Sequence, residues 1–174
     1  SSFFIEGMIN SVLDNKELKN KYHFVFYPIV NTVGVQTGCH RYVEGVDFNR
    51  VWQSSNAPKN IQFIKQELKQ YKIKYFIDVH NDEITPIDYI RASGKINEKN
   101  IGEIVVLKAM GPLYRLLRSI VKQKKIINLS YKTAREYVRK KYHCLSILVE
   151  LSMKENYDKA NLKGYNFIKN LLLK

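Results

Sequence analysis

Phe4, Met8, Ile9, Val12 and Leu13 recur at the spacing of one helix face and are followed by Asp14 and Asn15, which predicts an amphipathic helix at the start of the chain. The run His23-Phe24-Val25-Phe26-Tyr27-Pro28-Ile29-Val30 is aromatic and β-branched, the composition of a buried central strand, with Pro28 marking its end. Residues 31–56 then read as a long polar loop whose glycines, Gly34, Gly38 and Gly45, permit tight turns. Pro58 opens a second helix with Ile61, Ile64 and Leu68 on one face and Lys59, Gln62, Lys65, Glu67 and Lys69 facing outward. Tyr75-Phe76-Ile77-Asp78-Val79-His80 is a strand, and the order strand, loop, helix, strand predicts a parallel pair joined by a crossover.

Residues 97–125 carry a helical pattern interrupted at Gly111-Pro112. A basic helix is predicted over residues 133–142, then an apolar strand from Cys144 to Val149 that ends in the acid Glu150, and a closing helix with Leu162, Tyr165, Ile168 and Leu172 on its face. The sum is an α/β fold in a single domain over residues 1–174, with a mixed, mostly parallel central sheet flanked by helices. Ligands of open α/β sheets sit beyond the carboxyl ends of the strands. His80 and Glu150 are each expected at such an end.

Composition changes this picture little. A chain of 174 residues with 45% hydrophobic content can bury a core of domain size. No apolar run approaches the roughly 18 residues that would span a bilayer, which predicts no membrane partner. The sequence opens with Ser1-Ser2-Phe3-Phe4-Ile5, without the basic start of a signal peptide, and a cytoplasmic protein is expected. Cys39 and Cys144 each adjoin a histidine but lack the close spacing of a zinc ribbon, so they read as two reduced thiols. The formal charge of +13 comes from 29 Lys and Arg against 16 Asp and Glu, clustered at residues 16–21, 65–74, 122–125 and 135–141. Such a field attracts acidic peptides or nucleic acid, yet each run also reads as a solvated helix face, and no nucleic-acid recognition motif accompanies it.

The candidate chemistry is dispersed: His80 and Glu150 at strand ends, His40-Arg41 and Asn49-Arg50 in the glycine-bearing loop. An imidazole can bind zinc, and a carboxylate near the metal can take a proton from its bound water. One Arg can stabilise an oxyanion, and a second beside an Asn amide can grip a carboxylate. Singly, each has a plainer reading as a hydrogen-bonded or solvated residue; the argument rests on their occurring together.

The segment Gly38-Cys39-His40-Arg41, followed by Gly45-Val46-Asp47-Phe48-Asn49-Arg50, resembles the G-x-x-R and G-x-D-x-N-R elements of zinc metallocarboxypeptidases, in the cytosolic carboxypeptidase-like branch with the carboxypeptidase A superfamily fold. Asp78-Val79-His80-Asn81-Asp82-Glu83 is similar to that family's D-x-H-G-D-E turn, and the strand ending in Glu150, followed by Lys154-Glu155-Asn156, to its closing strand. The resemblance implies a zinc-dependent hydrolase acting on the C-terminal or a side-chain glutamyl bond of peptides and proteins, acidic tails among them. It also implies roles: His80 as a zinc ligand, Glu150 as general base and acid, Arg41 on the scissile carbonyl, and Asn49 with Arg50 on the substrate's terminal carboxylate. Asp82 and Glu83 would support the site.

Three positions depart from the pattern. The family's H-x-x-E motif, which supplies its first two zinc ligands, is not in the sequence and is expected upstream of Ser1; Asn31-Thr32-Val33-Gly34 replaces an N-P-D-G turn; Asn81 replaces a glycine. Two rival readings are an inactive relative that binds peptide C-termini and a basic nucleic-acid-binding module.

Overall fold

Most of the helices begin where an Asn or Thr side chain turns back on the backbone. Asn15 accepts from the Leu18 N–H at 3.1 Å, Asn31 from Gly34 at 2.9 Å, Thr133 from Glu136 at 3.3 Å and Asn156 from Lys159 at 3.1 Å. In the computed structural model, residues 2–37, 42–43, 46–82, 89–93, 105–106, 132–154 and 156–173 are described. Their helices are α1 (Ser2–Asp14), α2 (Lys16–Lys21), α3 (Thr32–Gln36), α4 (Lys59–Glu67), α5 (Ala134–Tyr142) and α6 (Tyr157–Leu172). The strands are β1 (Tyr42–Val43), β2 (Val46–Asp47), β3 (Tyr75–Asp82), β4 (Tyr89–Ser93), β5 (Val105–Val106) and β6 (Leu145–Ser152). β1 and β2 form an antiparallel hairpin, and a four-stranded sheet runs in the order β3-β6-β4-β5.

The sheet is built on parallel pairs, as the expected α/β class requires. β4 and β5 are parallel, with Tyr89 opposite Val105 and Ile90 opposite Val106. β3 and β6 are neighbours, and Leu145 N–H donates to the Lys74 carbonyl at 3.2 Å, one residue ahead of β3 and at the first residue of β6. A bond joining the two starts means that the strands run in the same direction.

The chain's contacts separate two compact units, one of residues 1–29, 79–106 and 148–174, the other of residues 30–78 and 107–147. In the first, α6 packs closely on α1 and β6. Ala160, Phe167, Ile168 and Leu172 are buried on its inner face. A Cβ at Gly164 would lie 2.8 Å from Phe4 Cε2 and 3.0 Å from Leu151 Cδ2, so this position tolerates no side chain without a shift. In the second unit, Ile61, Ile64 and Leu68 of α4 and its following 3₁₀ turn (Leu68–Gln70) are buried as expected. Trp52 is buried there too, its ring 6.5 Å from that of Phe76 and 6.0 Å from that of Tyr137.

Several expectations are corrected. Residues 23–30 form no strand: His23, Val25, Pro28 and Ile29 are exposed while Phe24, Phe26 and Tyr27 are half-buried, so the run is not sandwiched on both faces like a central strand. The crossover expected between it and β3 is therefore not formed. The polar loop of residues 31–56 contains α3 and the β1-β2 hairpin, and Gly34 sits buried in α3 rather than in a turn, because Asn31 caps a helix there. Val105 and Val106 are strand, not helix, in keeping with paired β-branched residues; the rest of residues 97–125 lies outside the described residues. Leu162 is 58% exposed, and the buried positions on either side of it in α6 are Ala160 and Gly164. β3 and β6 each run two residues past His80 and Glu150, so neither residue ends its strand.

Replacing Gly164 with Ala tests the close packing of α6. Helix propensity favours Ala by about 1 kcal/mol, but overpacking against Phe4 and Leu151 costs about 1–3 kcal/mol. Urea denaturation is expected to show a net loss of stability; a gain would mean that α1 gives way freely.

Candidate active site

The strands bring two of the sequence-selected residues together. In a parallel ladder the bond from Leu145 N–H to the Lys74 carbonyl flanks the pair Tyr75 and Leu145. Both strands start at that pair and both are eight residues long. Five residues further along each, the ladder sets His80 beside Glu150, on neighbouring strands about 4.8 Å apart and on one face of the sheet. Over residues 147–151 the burial alternates: Ile147, Val149 and Leu151 are buried, while Leu148 and Glu150 on the other face are half-buried between the buried Ser146 and Ser152. The imidazole and the carboxylate thus share the less buried face, backed by an apolar one.

Asn49 and Arg50 belong to the second unit, in the 3₁₀ turn Phe48–Arg50 that follows β2. Asp47 makes this turn, its Oδ1 accepting from the Asn49 N–H at 2.9 Å, as an Asx residue does two positions ahead. Asn49 Oδ1 in turn accepts from the backbone N–H of Ala134, the first residue of α5, at 3.0 Å. That bond reaches a helix N-terminus 85 residues away and commits the carbonyl end of the side chain. The other end of the side chain, the amide N–H₂, carries donors only. Arg50 Nη1 donates to the Asn49 carbonyl at 2.9 Å, and its Nε lies 4.0 Å from Asp47 Oδ2, so the guanidinium is anchored on one side, half-buried. Trp52 N–H donates to the Lys132 carbonyl at 3.1 Å, a second tie between this turn and the entry to α5.

Asp47 and Trp52 position this turn without carrying chemistry of their own. The D-x-N spacing was a signal for the first; for the second the signal was its being the single Trp of the chain. Arg41, Cys39 and Glu83 lie outside the described residues, as does the side chain of Asp82. Glu6 is exposed on α1, and Asn81 continues β3. Cys144 is a free, buried thiol just ahead of β6.

The zinc expectation can be set against the donors present. A catalytic zinc takes three protein ligands with an open fourth position. Among the described residues no three His, Cys, Asp or Glu side chains gather as a metal site, and His80 is the one predicted ligand there. That donor set does not by itself fit the ion.

No protein-family model and no curated protein sequence matches the chain. Solved structures do. Over 99% of its length the chain superposes on 53% of a metallo-carboxypeptidase from Burkholderia cenocepacia, with a TM-score of 0.69 at 16% identity. It likewise covers 52% of a metallo-carboxypeptidase from Pseudomonas aeruginosa solved with (2-guanidinoethylmercapto)succinic acid, with a TM-score of 0.65 at 22% identity. The chain therefore has the metallo-carboxypeptidase fold, and it spans about half the length of these structures.

Two tests follow from the geometry. Asn49→Ala removes the acceptor at the start of α5 and should cost about 0.5–2 kcal/mol, as loss of a cap does, whereas Asn49→Asp keeps the oxygen and should restore most of it; denaturation of the two variants decides, and equal losses would mean that the bond to Ala134 is not what Asn49 supplies. The second concerns alkaline pH. Burial pushes the Cys144 thiol and the Tyr142 phenol above their ordinary values, and the Tyr137 hydroxyl raises the Lys141 ammonium. A raised folded value contributes stability below the unfolded one and loses it as pH rises, so stability should fall above about pH 8.5 for the thiol and above about pH 10 for the others. The share of exposed Lys141 is small. Melting curves across this range should decline, with the first part of the decline absent in Cys144→Ala.

Proposed function

We propose that this chain carries the general base and the carboxylate-binding residues of a carboxypeptidase, hydrolysing the C-terminal bond of peptides or proteins. The observation that supports the reading is the register that sets His80 beside Glu150 in a chain with the metallo-carboxypeptidase fold. Glu150 removes a proton from the attacking water and returns it to the leaving amine. Arg41 stabilises the oxyanion on the scissile carbonyl. Arg50, with the amide end of Asn49, binds the free carboxylate of the substrate, so cleavage is confined to a chain end.

Zinc is the metal of this reading, with His80 as one ligand. Two further donors must come from outside the described residues, and none of the steps above is routed through the ion. Acidic C-terminal tails are the favoured substrates because of the net charge of +13. The same shortage of ligands favours a second reading, a relative that binds peptide C-termini through Asn49 and Arg50 without cutting them.

One assay separates the readings: the protein in zinc-containing buffer, with peptides that carry either a free or an amidated C-terminus. The peptidase reading expects release of the last residue from the free peptide alone. Glu150→Gln should lower kcat about 10²–10⁴-fold, and Arg50→Gln should raise KM about 10–100-fold. Unchanged turnover in Glu150→Gln would remove it as the base. Tight binding of the free peptide with no product in any variant would establish the silent receptor.

A further inference from the structure

The second unit carries a charged surface that the hydrolytic reading does not use. Residues 59–74 hold five lysines, Lys59, Lys65, Lys69, Lys72 and Lys74, against Glu67 alone. On α5, Arg139, Lys140 and Lys141 are exposed in the last turn, while its one acid, Glu136, pairs with Arg135 at 3.4 Å. One lysine from each group meets the same ring. Lys65 Nζ stands 5.0 Å from the centre of Tyr137 and Lys141 Nζ stands 5.4 Å from it, and Lys141 also donates to the Tyr137 hydroxyl at 3.0 Å. Buried Trp52 lies beneath, its ring centre 6.0 Å away, so the platform is fixed from the core side.

We propose that this face, with Lys65 and Lys141 on Tyr137 at its centre, docks an acidic segment of a partner protein. Among the described residues the hydrogen-bond partner of the Lys65 ammonium is the Ser54 carbonyl and that of Lys141 is a phenol; neither is a carboxylate. Two ammonium groups held at one ring repel each other, and a carboxylate placed between them is attracted to both. Arg139 and Lys140, exposed in the same last turn of α5 as Lys141, extend the match from one carboxylate to a run of them. A peptide is favoured over nucleic acid because the Tyr137 ring is engaged by two cations and by Trp52, whereas binding of single strands leans on aromatic rings offered to the bases. The inference does not rest on the peptidase reading, since none of these residues is assigned to the chemistry.

Fluorescence anisotropy with a labelled peptide of mixed Asp and Glu, and with a single-stranded oligonucleotide of equal charge, tests it at about 150 mM salt, the physiological strength. The unaltered protein is expected to bind the peptide more tightly than the oligonucleotide. Lys65→Glu with Lys141→Glu should weaken peptide binding at least ~10-fold, while Lys16→Glu with Lys154→Glu, an equal charge change on exposed residues of the first unit, should weaken it less than ~2-fold. Lys65→Gln with Lys141→Gln should show a loss in the same direction, and melting curves of all variants should show retained folding. Equal weakening by the two charge-reversed pairs would mean diffuse attraction by net charge and would overturn the proposal. Failure to bind the peptide, or tighter binding of the oligonucleotide lost with the Lys65 and Lys141 pair, would overturn it as well.

Discussion

The register between β3 and β6 is the constraint from which the rest of the candidate chemistry follows. It starts at the bond from Leu145 N–H to the Lys74 carbonyl and is held by what β6 buries, Ile147, Val149 and Leu151 on a single face. A slip of one residue would turn those three toward the less buried side and Glu150 toward the core, exchanging apolar contacts for a desolvated carboxylate. The energy that keeps the apolar face dry is thus the energy that keeps the carboxylate level with the imidazole. Neither His80 nor Glu150 needs a bond to the other for this; hydrophobic burial on the opposite face holds the register, and the spacing of the ladder sets their separation.

A different kind of bond governs the other candidate residues. Asn49 and Arg50 sit in a turn made by Asp47, and the turn is tied to the start of α5 through the Asn49 carbonyl oxygen. The tie is favourable twice over. It satisfies a helix N–H that has no partner within the helix, and it places the oxygen of an amide dipole at the positive end of the helix. The residue proposed to bind the substrate carboxylate therefore also holds local structure, through its amide oxygen.

What could be read from the sequence follows the range of the forces involved. α1, α4 and α5 were legible because a period of 3.6 residues, a capping Thr and a leading Pro are local signals. β3 and β6 were legible as apolar runs, though not their last two residues, since polar side chains such as Asn81 and Ser152 continue a ladder whose backbone bonds do not depend on them. Residues 23–30 misled because aromatic composition measures a tendency to be covered, not the presence of a cover. β4 and β5 were missed or misread because strands this short draw their stability from their neighbours. The candidate residues were found by motif, whereas the bond from Ala134 to Asn49 spans 85 positions and leaves no periodic trace.

The charge on α5 separates into a part that the fold accounts for and a part that it does not. Basic residues in the last turn, Arg139, Lys140 and Lys141, complement the negative end of the helix dipole, a favourable local effect worth about 0.3–1 kcal/mol each at most exposed sites. The dipole has no bearing on Lys65, which comes from another helix and points its ammonium at the same ring. A cation over an aromatic face gains about 0.5–1 kcal/mol at the surface, but a second cation at that ring gains less once the repulsion of the first is counted. Each also has a hydrogen bond of its own, Lys65 to the Ser54 carbonyl and Lys141 to the Tyr137 hydroxyl, so local contacts account for where both ammonium groups lie. What these bonds leave is the positive field of the two ammonium groups themselves, and that field is what the proposed acidic segment would meet.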